Sequence, residues 1–208
     1  MHEIRRFVMR KKSHISLAGY LVRSLGMEEL EKHKKAFYFG SIMPDLNPKM
    51  LAVPHEFDAT FESLKALFFR ILKEITDDGE NERILWRRVG VAMHYLADYF
   101  TYPHDAAFKG SLKDHCMYES EMKYYLRVLV HMPEAQAILE DARGVADEIG
   151  SLNELFEYIE KMHQKYGRVV HSVSADCRQI LSLCATVMIA FTEMIDMQRE
   201  AETAVMCA

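Results

Sequence analysis

Gly90-Val91-Ala92-Met93-His94-Tyr95-Leu96-Ala97-Asp98-Tyr99-Phe100 is the stretch on which the reading of this chain turns. Its apolar residues recur at three- and four-residue spacing, which predicts a helix. His94 and Asp98 then project from one face of that helix, one turn apart. An unpaired carboxylate is costly to bury among such neighbours, so Asp98 requires a cation or strong hydrogen-bond donors.

The following helix repeats the spacing with His115 and Glu119. An imidazole and a carboxylate four residues apart bind one cation from a rigid backbone, and zinc accepts this nitrogen–oxygen mixture with further protein ligands and water. One such pair carries little weight by itself, because ten histidines and 31 acidic residues place solvated i, i+4 pairs on helix surfaces. The surroundings of the two pairs carry more. His104 follows Asp98 in a proline-containing loop, Asp45 lies in an irregular stretch upstream, His55 begins the helix after it, and His14 sits beside Ser13 at a helix start.

The same periodicity runs through almost the whole chain, and no alternating stretch suggests a strand. The expected fold class is therefore all-α: one compact domain over residues 1–208 with about eight helices. Ser13 is expected to cap a helix that Gly26 closes. A second helix is expected over 28–39, with Gly40 and Pro44 marking a break. Further helices are predicted over 56–76, ending at Asp77-Asp78-Gly79, and over 81–100, ending before Pro103. Ser111 opens the next, to about His131. Two shorter helices over 133–149 and 152–167 precede a long last one from Ser172 past Ala201.

Composition narrows the function classes. A net charge of −5 gives no long-range attraction for nucleic acid, so no stable nucleic-acid partner is expected. No run approaches the roughly 18 apolar residues of a spanning helix, and 180–195 reads as buried because Ser182, Thr186, Thr192 and Glu193 interrupt it. The start, Met1-His2-Glu3, has no apolar core or small-residue cleavage site behind it, and the expectation is a cytoplasmic protein. Cys116, Cys177, Cys184 and Cys207 show no paired spacing and are expected as free thiols.

The order His14, Asp45, His55, His94-x-x-x-Asp98, His104, His115-x-x-x-Glu119 resembles the ligand set of the bacterial zinc-dependent phospholipase C family, whose superfamily includes the single-strand-specific zinc nucleases. The resemblance spans residues 13–119. It implies two or three zinc ions per chain. Asp45, His55, His94 and Asp98 would hold the first, and His104, His115 and Glu119 the second. Asp98 would bridge to a third, which His14 also binds. Asp45 would in addition act as general base for the attacking water. Glutamate as the final ligand favours the phospholipase branch, so a phospholipid headgroup or other small phosphodiester is the implied substrate. Secreted family members complete the third site with an amino-terminal tryptophan; here the Met1 amino group, His2 or solvent would take that place. The choline-preferring members hold the quaternary ammonium in an aromatic cage, and none can be assembled here: Leu46 follows Asp45, and Phe57, Tyr99, Phe100, Tyr102 and Phe108 read as core.

Rival readings start from other residues. The His104-Asp105 doublet suggests a helical HD-type phosphohydrolase, but that leaves His14, His115 and Glu119 unused. A single-strand nuclease needs a basic channel with stacking aromatics. A protein that keeps zinc without catalysis is the third alternative. His33, His131, His163 and His171 read as helix surface or helix ends. The basic residues Arg5, Arg6, Arg10, Lys11, Lys12 and Lys32–Lys35 read as a solvated face.

Overall fold

Two glycines allow a close contact between two helices. A Cβ on Gly40 would sit 2.0 Å from the Arg87 carbonyl oxygen, and one on Gly90 only 2.3 Å from that of Phe37. Only glycine lets the two backbones approach this far. They belong to α3 (Lys34–Leu46) and α6 (Gly79–Tyr99), which form the most extensive helix pair. The pairing lays Ser41 and Asp45 beside His94, one turn beyond Gly90.

These elements are seen in a computed structural model of the chain that describes residues 11–75 and 79–206. Around the central pair stand α1 (Lys11–Leu25), α2 (Glu28–Lys32), α4 (Pro48–Leu51), α5 (Phe57–Lys73), α7 (Leu112–Leu129), α8 (Pro133–Ala146), α9 (Leu152–Tyr166) and α10 (Val173–Met206). A short 3-10 turn, Tyr102–His104, joins α6 to α7. The fold is all-α, with ten α-helices and no strand among the described residues, against the eight or so expected.

The extra helices come from the region around Pro44. His33, at φ −105° and ψ 14°, leaves the helical region and separates α2 from α3. Gly40 and Pro44 do not break the chain as the sequence suggested. Gly40 is a packing point, and Pro44 lies two residues from the end of α3, where its missing N–H costs a single backbone bond. Ser13 is also not a cap: the helix is already under way at Lys11, and Ser13 is buried within it. Gly26 closes α1 as expected, with φ +69°. Ser111 caps α7 through a reciprocal pair with Asp114. The expected Asp77-Asp78-Gly79 turn lies largely outside the described residues.

Buried apolar side chains form one continuous cluster from Leu17 to Ile195. Its axis is α10. Residues Ile180, Leu181, Leu183, Cys184, Ala185, Val187 and Met188 are all fully buried, and only Ser182 and Thr186 interrupt the apolar surface of the middle of this core helix. By length and composition α10 is apolar enough to cross a membrane, which the sequence reading did not anticipate. However, 72% of its most apolar window is buried inside the protein. Phe191 meets Phe68 of α5 edge to face with centroids 4.5 Å apart, and Tyr20 of α1 donates to the Ala135 carbonyl of α8 at 2.7 Å. Cys116, Cys177 and Cys184 are free thiols.

Candidate metal centre

α6 supplies the middle of the site. His94 and Asp98 are fully buried on the face turned towards α1, α3 and the loop before α5. The His94 Nδ1–H donates to the Ser41 carbonyl at 2.9 Å, which fixes the ring and turns Nε2 towards Asp98 Oδ2, 3.2 Å away. Asp98 is shared. Its Oδ2 lies 2.8 Å from His55 Nδ1, while its Oδ1 lies 3.4 Å from His14 Nε2. His14 stacks on His94 with centroids 3.9 Å apart, and Asp45 Oδ1 is 3.7 Å from His94 Nε2. A second cluster adjoins the first. His115 Nε2 lies 2.9 Å and His104 Nε2 3.5 Å from the same oxygen, Glu119 Oε1.

All eight side chains named from the sequence thus converge. Their ligand atoms fall into three groups able to hold an ion: His14 with His94 and Asp98; Asp45 with His55 and His94; His104 with His115 and Glu119. Within each group the donor atoms lie within 4.8 Å of one another. Met1 and His2, named as completing a third site, lie outside the described residues.

The chemistry of the donor set fits zinc. Both nitrogens of His14, Asp45 Oδ1, His55 Nε2, Asp98 Oδ1 and His104 Nε2 are buried without a hydrogen-bond partner. Buried polar atoms are normally paired, and so many unpaired ones pointing to one place mark a binding site for something that accepts lone pairs. Imidazole and carboxylate, with no thiolate, is the ligand mixture of a zinc site that keeps positions for water.

Titration follows from this crowding. Burial drives the His14 imidazole down to about 4, and the neighbouring His94 adds to the effect. Burial lifts the Asp45 carboxyl to about 7; His94 opposes the rise and Asp98 adds to it. Asp98 behaves oppositely. Burial works against its ionisation, but His94, His104 and His14 overcome this and hold it well below the usual carboxylate range. Burial likewise opposes a proton on His94 and on His104, yet it is outweighed by Asp98 together with Asp45 and the Ser41 carbonyl at His94, and by Asp98 together with Glu119 at His104, and both are raised.

The doublet reading fails on geometry. Asp105 Oδ1 accepts from the Ala107 N–H at 2.7 Å, and Asp105 joins none of the candidate groups among the described residues. Tyr99 and Phe100 are core, as expected, while Phe57, Tyr102 and Phe108 are half-buried. The run Lys32–Lys35 is a solvated face in which Lys32 pairs with Glu28 and Glu29, and Lys34 with Glu31.

Two histidines read as surface do more than that. His163 stacks on Phe57 with centroids 3.9 Å apart, and His171 stacks on Tyr102 at 4.2 Å. The sequence reading also missed Asp176, buried at the start of α10, which accepts three hydrogen bonds. Its position, one turn into an apolar helix, was the available signal, because a carboxylate there needs partners.

A family profile described as zinc dependent phospholipase C matches residues 13–173 of the chain. The chain belongs to that family, and the matched span includes every residue of the three groups. Comparison with the curated proteins and with the solved structures finds no match.

Proposed function

We propose that the protein is a zinc-dependent phosphoric-ester hydrolase that cleaves a P–O bond in a phospholipid headgroup or a similar small phosphodiester. The observation that carries this reading is the convergence of three imidazole–carboxylate groups, with donor atoms of His14, Asp45, His55, Asp98 and His104 buried without a hydrogen-bond partner, in a chain of this family. Asp45, His55, His94 and Asp98 would hold one zinc ion, and His104, His115 and Glu119 would hold a second. Asp98, with Oδ1 towards His14 and Oδ2 towards His55, would contribute to a third together with His14. Zinc supplies Lewis acidity there: it lowers the pKa of water towards about 7 and neutralises the charge that builds on phosphoryl oxygens.

The side chains do the rest. His115, 14% exposed where the side chains of the first two groups are at most 5% exposed, marks the side from which substrate enters. Asp45 Oδ1 has no hydrogen-bond partner and takes the proton of the attacking water. The apolar wall behind His94, formed by Met93, Leu96 and Ala97, keeps bulk water from the far side and holds the effective dielectric low.

The test is zinc stoichiometry by elemental analysis on protein purified without a metal-affinity tag, followed by turnover of a chromogenic phosphodiester. Two or three ions per chain with turnover is the expected result. Two or three ions without turnover on any phosphodiester, phosphomonoester or phospholipid offered leaves a zinc-binding protein and overturns the hydrolase.

A further inference from the structure

Asp176 ties together the two chain segments that make up the His104–His115–Glu119 group, although it is far from that group in sequence. Its Oδ2 accepts the backbone N–H of Tyr102 at 2.9 Å, and Tyr102 opens the turn that carries His104. The same oxygen accepts the Tyr118 hydroxyl at 2.8 Å, and Tyr118 lies on α7 between His115 and Glu119. A third bond, from the Tyr166 hydroxyl at 2.8 Å, anchors the carboxylate to the end of α9, which carries no candidate ligand. Tyr102 is held on its other sides too: its ring stacks on His171 at 11° between planes and meets Phe108 edge-on at 5.2 Å. His171 itself faces Asp176 Oδ1 at 3.6 Å, too far for a hydrogen bond.

A charged oxygen that accepts three bonds makes each of them stronger than a neutral pair and restricts the atoms that donate. His104 and Glu119 come from different elements, and their approach to 3.5 Å depends on how the turn sits against α7. Apart from the chain running from one to the other, the Asp176 carboxylate is a direct bridge between them. Ligand sets are held in register by such outer partners, and disturbing these typically costs about 10- to 100-fold in metal affinity.

We propose that Asp176, three residues beyond the span matched by the family profile, is a positioning residue that fixes the 3-10 turn of His104 against the helix of His115 and Glu119. This rests on the zinc reading of that group. The metal-free protein is titrated with zinc against a chromophoric chelator, and Glu119→Gln identifies the binding step that belongs to the group. Asp176→Ala weakens that step roughly 10- to 100-fold and spares the others. Asp176→Asn weakens it less, because its carbonyl still accepts.

The decisive pair is Tyr118→Phe and Tyr166→Phe. Both remove one hydrogen bond to the same oxygen, and thermal unfolding of the metal-free variants measures that shared structural loss. Only Tyr118→Phe cuts the link to a ligand-bearing helix, so it alone weakens the step, by about tenfold. Equal weakening by both, or by neither, overturns the proposal while leaving the zinc group in place. If the wild type shows no step that Glu119→Gln removes, the zinc reading of the group falls, and this proposal falls with it.

Discussion

Replacing Gly90 by alanine tests whether the α3–α6 contact sets the geometry of the site. A Cβ there would lie 2.3 Å from the Phe37 carbonyl oxygen and 2.8 Å from the Ser41 nitrogen. Both are backbone atoms, so no rotamer change relieves the clash, and the helices must part by about 1 Å to reach van der Waals separation. Overpacking of this kind costs about 1–3 kcal/mol. The displacement also reaches the bond from His94 Nδ1–H to the Ser41 carbonyl, now 2.9 Å, whose loss adds about 1 kcal/mol. Alanine's better helix propensity returns about 1 kcal/mol. The net loss is about 1–3 kcal/mol, which in a chain of this size lowers Tm by roughly 2–12 °C.

Gly144→Ala is the control. It sits inside α8 with nothing within 4 Å of the added atom, so it gains propensity without a clash. Thermal unfolding of the metal-free proteins should move the two variants in opposite directions, and zinc retention should fall for Gly90→Ala alone. If Gly90→Ala is as stable as Gly144→Ala and keeps its zinc, the close helix contact does not position His94.

Asp98→Asn removes the charge that two ions would share, so zinc content and phosphodiester turnover should both fall; full zinc with full turnover would show that Asp98 is not a bridge. Asp105→Asn should leave zinc content unchanged, because the amide oxygen can still accept from Ala107 and Asp105 faces no candidate group; loss of a metal ion would revive the doublet reading. Zinc uptake should release more protons at pH 6 than at pH 8. With its pKa near 7, metal-free Asp45 holds a proton at the lower pH and has lost it at the higher, and the raised His94 and His104 act in the same sense. His14, titrating near 4, contributes at neither. Calorimetry in buffers of different ionisation enthalpy counts these protons, and an equal release at both pH values would contradict the assignment.

Much of the site was legible because its residues announce themselves locally. His94 with Asp98, and His115 with Glu119, rest on helix periodicity alone, and Ser111 and Gly26 mark helix ends by side-chain chemistry that does not depend on the rest of the fold. Gly40 and Pro44 misled for the opposite reason. Their local preference is for a break, while Gly40 is held in α3 by its close approach to the Arg87 backbone of α6, which no local pattern reveals, and Pro44 falls close enough to the end of α3 to be tolerated. His171 and Asp176 were missed or set aside because their partners, Tyr102 and Tyr118, lie more than 50 residues away along the chain. The grouping of ligands was likewise inferred from a resemblance; spacing alone does not place His14 on His94 or His104 against Glu119.

The order of the chain also bears on how the protein is made. Every candidate ligand lies before residue 120, yet the helix that fills the middle of the core begins at Val173. During synthesis α5, α6 and α7 emerge before the α10 residues that pack on them, where Phe191 meets Phe68 and the Cys177 and Cys184 thiols lie against the Met122 and Met93 carbonyls. Until then the nascent chain displays an apolar face beside the imidazole and carboxylate ligands. The ligand helices are thus synthesised first and gain their final framework last, and delay or truncation of the stretch from Ser172 to Ile195 would leave their apolar faces open to aggregation.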